Sequence, residues 1–331
     1  MSKLSSLEKP IVERSIIMPT EMEHITEHLP GWLEESRHAA SEGKVADYIP
    51  ELAHAPADAL GCTLIDTNGN TVTAGDCSLS FTMQSISKVF TLLLALMDRG
   101  EERVFNHVGM EPSGDDYNSM LKLELVEPGK PFNPLINAGA IAITALIKGD
   151  STDEQFTRIR DFFRTIAGNP DIDYNHGVYT SEQQTAHRNR SLAYFLKDND
   201  VLSDDTEVED VLDVYFRQCA LEVNCEQLAR MGMVLANGGF DLVTGQELIP
   251  YRYVQIAKTF MVTCGMYNAS GEFAIQAGIP AKSGVSGGIL ALVPGRYGIG
   301  VIGPSLNRKG NSTAGLHLLQ KLSAQYNWSI F

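Results

Sequence analysis

Phe81-Thr82-Met83-Gln84-Ser85-Ile86-Ser87-Lys88-Val89-Phe90, running on as Thr91-Leu92-Leu93-Leu94-Ala95-Leu96, is the stretch on which the reading of this chain turns. It sets Ser-x-x-Lys at the start of an apolar helix. A serine hydroxyl is a poor nucleophile near neutral pH and needs a base within hydrogen-bond reach. Residues three apart on a helix share a face, so Lys88 can reach Ser85. Burial would lower the lysine pKa, and the helix N-terminus would add positive potential beside the hydroxyl. The spacing by itself is weak: Ser6/Lys9, Ser41/Lys44 and Ser119/Lys122 share it and read as solvated serines with surface lysines. Context separates Ser85/Lys88, because a lysine followed by VFTLLLAL sits on a helix buried nearly all round.

Upstream of this helix, Leu60 to Asp66 and Thr71-Val72-Thr73 flank Asn68-Gly69, a strong hairpin signal. Near the C-terminus, Glu272 to Ile279, Gly288 to Val293 and Tyr297 to Ile302 read as strands, with Pro294-Gly295-Arg296 as the turn between the last two. Thr313 to Tyr326 returns to helical spacing. Between the β regions the chain reads as mostly helical: Ser85 to Asp98, Ile136 to Ile147, Glu154 to Ile166, Thr185 to Leu196, Val208 to Ala220 and Glu226 to Asn237. Pro30 to Ser41 is helical and is broken at Tyr48-Ile49-Pro50, while residues 1–25 read as a loosely ordered lead-in. Strands at both ends imply one mixed sheet, at about 26–80 and 263–331. The helical middle, about 81–262, forms a lobe, with a site at the seam.

Bulk properties narrow the function. The 331 residues are 44% hydrophobic, ample for a large core. A formal net charge of -15 disfavours partnership with nucleic acid or an anionic membrane surface. Five cysteines at irregular spacings, with no C-x-x-C, point to a reducing compartment rather than a disulfide framework. No apolar leader opens the chain and no run reaches membrane-spanning length, so the expectation is a cytoplasmic protein.

Further candidates have bland alternatives. Lys282-Ser283-Gly284 beside a strand matches the Lys-Thr-Gly element that accompanies Ser-x-x-Lys in penicillin-recognising enzymes, or else is a Gly-rich turn. Asn137, in Asn133-Pro134-Leu135-Ile136-Asn137-Ala138-Gly139, reads locally as an N-cap. Tyr267 reads equally as a core tyrosine. His24 and His28, four apart, lack the glutamate of a zinc motif and read as a surface helix, so neither a metal nor a cofactor is expected. The acidic run from Asp198 to Asp210 reads as a solvated loop.

Taken together, the chain from about 25 to 330 resembles the serine-dependent glutaminase family, whose fold is related to β-lactamases and penicillin-binding proteins. The blocks occur in family order: Tyr48-Ile49-Pro50-Glu51-Leu52, Gln84-Ser85 with Lys88, Glu111-Pro112-Ser113-Gly114, Asn133-Pro134 through Ala140, Ser181-Glu182 with Arg188-Asn189, Tyr215-Phe216 with Glu222-Val223, Ala236-Asn237-Gly238-Gly239, Cys264-Gly265-Met266-Tyr267, and Pro280 to Val285. The resemblance implies an α and β, β-lactamase/transpeptidase-like fold with a mostly antiparallel sheet, flanking helices and a helical lobe. It implies an amidohydrolase turning L-glutamine into L-glutamate and ammonia. Ser85 matches the nucleophile, Lys88 its activating partner and Tyr267 a second proton carrier. The N–H groups of Ser85 and Val285 match the oxyanion hole. Glu182 matches the carboxylate for the α-ammonium, and Tyr48, Asn137, Asn189 and Tyr215 the polar residues around the amino-acid end. A homodimer or homotetramer is implied as well. Against the wider fold, no Ser-x-Asn element or deacylating glutamate is legible, which disfavours the rival reading as a lactam or peptide hydrolase. A non-catalytic glutamine-binding protein would have no need of the Ser85/Lys88/Tyr267 set.

Overall fold

The computed structural model describes residues 20–112 and 129–331. Residues 1–19 of the expected lead-in, Ser113-Gly114 and the Ser119/Lys122 pair lie outside the described residues. In chain order, helix α1 (Glu21–Arg37) precedes strands β1 (Gly61–Asp66) and β2 (Thr71–Gly75). A short strand β3 (Phe81–Thr82) leads through a 3-10 turn, Gln84–Ile86, into α2 (Ser87–His107). The lobe continues with α3 (Asn137–Ala145), α4 (Thr152–Ala167), α5 (His176–Thr185), α6 (His187–Asp198) and α7 (Val208–Cys219). Strand β4 (Glu222–Val223), α8 (Cys225–Ala236) and α9 (Tyr251–Cys264) follow. The chain closes with α10 (Ser270–Gln276), β5 (Ala281–Ser283), β6 (Gly288–Val293), β7 (Tyr297–Ile302) and α11 (Thr313–Tyr326).

The chain's two ends meet in one antiparallel five-stranded sheet of order β2-β1-β7-β6-β5. The Asn-Gly signal marks a real hairpin: Gly69 takes a left-handed φ of 82°, and Asp66 accepts from the N–H groups of Asn68 and Asn70. β1, β6 and β7 are buried at every position. They therefore read as apolar runs, as strands covered on both faces must. Period-2 alternation persists inside the runs. Ile289, Ala291 and Val293 face a layer containing Ile25, Leu29, Leu318 and Trp328, while Leu290 and Leu292 face the lobe. On the lobe side of β7, a Cβ at Gly298 would stand 2.1 Å from the Met233 nitrogen and 2.2 Å from the Ala229 oxygen. Only glycine there lets α8 lie directly on the sheet.

Several sequence expectations need correction. Glu272 to Ile279 is not a strand; it contains α10, and the edge strand is β5. Phe273 and Ala277, four apart, are buried, while Ile275 is 88% exposed, so the buried spacing is helical. The expected helix from Pro30 begins at Glu21, where Thr20 and Glu23 form a capping box, and it carries Pro30 inside. The expected boundary at residue 25 thus falls within α1. The segment read as one helix from Thr185 is the second of two, broken at Ala186. Gly100 (φ 77°) interrupts α2 soon after the predicted end at Asp98.

Candidate active site

Ser85 lies in the 3-10 turn that feeds α2 and is partly exposed, whereas Lys88 is 1% exposed. The two stand three residues apart across the junction with α2, a spacing that sets side chains on one helical face. The turn is held by Ile86 N–H to the Met83 carbonyl (3.0 Å) and by Ser87 Oγ to the Gln84 carbonyl (2.7 Å). Gln84 adopts φ 47° and Tyr267 φ 53°, two of the four non-glycine left-handed residues among the described residues. Such strain collects where surrounding structure fixes a working geometry.

Lys88 donates from Nζ to Asn137 Oδ1 (2.6 Å) and to the Leu135 carbonyl (3.3 Å). Asn137 in turn donates to Asn189 Oδ1 (2.9 Å). Asn137 is therefore not the N-cap expected from local sequence: Ile136 occupies that position, and Asn137 spends its amide on α2 and α6. Desolvation lowers the Lys88 pKa to about 8, against the pull of Cys219 and Glu182. Glu182, on α5, is buried, and its Oε2 has no hydrogen-bond partner. Burial raises its pKa to about 8, with Lys88 opposing. Tyr215, on α7, is pushed well above the usual tyrosine range by burial, with Cys219, Glu182 and Tyr48 as electrostatic neighbours. These contacts gather Lys88, Asn137, Asn189, Glu182, Tyr215 and Tyr48 in one region.

The sheet supplies the opposite wall. A Cβ on Gly284, just past β5, would stand 2.7 Å from the Met83 carbonyl and 3.2 Å from Ile86, so the Ser283-Gly284-Val285 backbone abuts the Ser85 turn. No backbone carbonyl among the described residues takes the N–H of Val285. Tyr267, Val285 and Tyr48 line a cavity of about 530 Å³, with Tyr48 53% exposed at its mouth. All the residues expected from sequence are thus brought to one seam.

Sequence reasoning flagged the Lys282-Ser283-Gly284 turn but gave its side chains no role. Lys282 is 1% exposed, donates to the Ser283 carbonyl (2.5 Å) and places its amine 4.4 Å from the centre of the Tyr267 ring. Burial, and then repulsion from Lys88, hold its pKa well below the lysine range. Two buried amines so placed cannot both stay charged. Cys219 was missed altogether. Its thiol lies 3.9 Å from Ser87 Oγ and is pushed up to about 12 by burial. Its one legible trace was its place on the helix face one turn beyond Tyr215.

A sheet joined to a helical lobe, with Ser-x-x-Lys on the lobe and Lys-Ser-Gly on the sheet's edge strand, is the β-lactamase-like class of fold. Within that class the chain belongs to the glutaminase family, whose model matches residues 43–331. The glutaminase of Alkaliphilus metalliredigens (strain QYMF) is 56% identical over 307 residues, spanning 93% of this chain and 100% of that protein. A Bacillus glutaminase solved in the presence of 4.3 M NaCl overlays with a TM-score of 0.86 at 41% identity, covering 92% of this chain and 99% of that one. The covalent complex of the Bacillus subtilis glutaminase YbgJ with 5-oxo-L-norleucine, formed by reaction with 6-diazo-5-oxo-L-norleucine, overlays with a TM-score of 0.85 at 40% identity, covering 92% and 99%.

Proposed function

We propose that this glutaminase hydrolyses L-glutamine to L-glutamate and ammonia through a glutamyl ester on Ser85. The observation that carries the reading is Lys88: an amine one turn from a partly exposed serine, buried and held to about 8. In the reaction, Ser85 Oγ attacks the side-chain amide carbon and its proton passes to neutral Lys88. The developing oxyanion takes the N–H groups of Ser85 and Val285. Protonated nitrogen leaves as ammonia. Water then attacks the ester, with Tyr267 as proton carrier beside Lys282.

The amino-acid end of the substrate is matched by charge. Glu182 is a buried carboxylate without a hydrogen-bonded cation, and the α-ammonium supplies one. Asn189, Tyr215 and Tyr48 offer neutral polar groups around it, and Asn137 orients Lys88 and Asn189 together. The five free cysteines support a reducing compartment, the cytoplasm, as the place of reaction.

The test uses two measurements on Ser85→Ala. Ammonia release from glutamine should fall by at least about 10³-fold while the circular dichroism spectrum is retained. Labelling by 6-diazo-5-oxo-L-norleucine should mark the Ser85 peptide of the parent enzyme and vanish in the variant. Undiminished turnover, or a label on another residue, would remove Ser85 from the mechanism.

A further inference from the structure

Three of the five cysteines meet at one corner of the sheet, and none of them belongs to the proposed site. Cys62 lies on β1, Cys77 follows β2, and Cys225 opens α8. The Cys225 N–H donates to the Cys77 carbonyl (3.3 Å). A backbone bond between the two residues brings their Cα atoms close to the disulfide range of about 4.4–6.8 Å. The two side chains are electrostatic neighbours. The hydroxyl of fully buried Thr63, which has no hydrogen-bond partner, neighbours the Cys77 side chain. Cys62 and Cys225 are buried, whereas Cys77 is half-buried, so a reagent from solvent meets Cys77 first.

Buried cysteines often act as small apolar fillers, and Cys62 fits that role. Cys77 does not. Protonated, it can donate to the carbonyl of Ala74 (2.8 Å) or of Cys62 (3.1 Å). The neighbouring Cys225 side chain draws the Cys77 pKa down to about 6. Cys225 is correspondingly pushed up by the same contact. An accessible low-pKa thiol with a second thiol against it is the arrangement in which oxidation stops at a disulfide.

We propose that Cys77 and Cys225 are a reversible disulfide pair, with Cys77 oxidised by a peroxide and Cys225 closing the bond. The Cys77 thiolate attacks one peroxide oxygen. The O–O bond breaks, a sulfenic acid forms, and the other oxygen leaves and is protonated, as water from hydrogen peroxide. The Cys225 sulfur, giving up its proton, attacks the Cys77 sulfur. The S–O bond breaks, and the departing hydroxide takes that proton as a second water. Two electrons pass from the two thiols to the peroxide, and a dithiol reverses the reaction. Cys77 stands a few residues before β3 and Cys225 directly after β4, and these strands pair antiparallel just ahead of Ser85. The bond therefore staples the ribbon that carries the catalytic turn.

The test treats the full-length enzyme with hydrogen peroxide, blocks remaining thiols with N-ethylmaleimide and maps peptides without reductant. The expected product is a linked pair containing Cys77 and Cys225, two hydrogens lighter than the free peptides and released by dithiothreitol. The oxidised protein should unfold on the order of 5 °C higher. In Cys225→Ser, the cross-link should be replaced by a sulfenic acid on Cys77 that dimedone traps. A bond from Cys77 to Cys62, irreversible over-oxidation of Cys77 alone, or a Cys77 no more reactive than Cys264 would each overturn the proposal. The unmodified enzyme carries the decisive measurement, so a poorly folding variant leaves it standing or falling on the peptide map.

Discussion

At the scale of single residues, Glu182 and Lys88 make the clearest predictions, because both are buried and both have been moved to about 8. They sense one another, so they titrate as a pair with shared apparent pKa values. Catalysis needs Lys88 neutral and Glu182 ionised, and both conditions are met by raising the pH. The acid limb of kcat/KM should therefore fall near pH 8; a limb near 5 would show that neither group governs turnover. Glu182→Gln tests the same carboxylate through stability. Folded Glu182 keeps its proton up to about pH 8, while the unfolded residue loses it near the ordinary 4.5 of a glutamate. Between those values the folded state binds more protons, so this residue makes the protein less stable as pH rises through the window. Glutamine cannot ionise. The variant should be more stable at pH 7.5, on the order of 1–3 kcal/mol, while its KM rises by about 100-fold or more. Loss of stability with KM unchanged would mean that Glu182 serves the fold alone. The proposed catalytic pair was legible because its signal is local: Ser85 and Lys88 share one helical junction. Asn137 was misread because its amide bonds to Lys88 and Asn189, far away in sequence. No local pattern reports such a choice.

At the scale of elements, α8 meets β7 at a close joint. Gly298→Ala would drive a methyl into backbone atoms of α8, which cannot swing aside as a side chain can. The expected cost is about 1–3 kcal/mol or more, read as a lower midpoint in urea. An unaltered midpoint would show that the helix can lift from the sheet freely. Most helices of the lobe were legible within a few residues, since their apolar periodicity is strong and their ends carry Gly or Asn. Glu272 to Ile279 was not. Phe273, Ile275 and Ile279 fit alternation as well as they fit a helix, and only the burial of Phe273 with Ala277 decides between them. The break at Ala186 escaped notice because it involves neither Gly nor Pro.

At the scale of the whole molecule, the proposed site is divided between two halves. The lobe contributes Ser85, Lys88, Asn137, Glu182, Asn189 and Tyr215. The sheet and its flanking turns contribute Tyr48, Tyr267, Lys282 and Val285. That the two ends of the chain meet was readable from strands at both ends, whereas the strand order β2-β1-β7-β6-β5 was not, because pairing between distant segments leaves no mark on either. The carboxylate enclosed at the seam has a consequence for the enzyme in solution. With its pKa raised to about 8, Glu182 would hold a hydrogen ion near neutrality and, in the proposed binding mode, yield it to an arriving zwitterion. Glutamine uptake should then acidify its surroundings by up to one equivalent. Titration calorimetry in Tris and in phosphate should give binding heats that differ by the ionisation heats of the two buffers; identical heats would mean that the carboxylate was already charged when the substrate arrived.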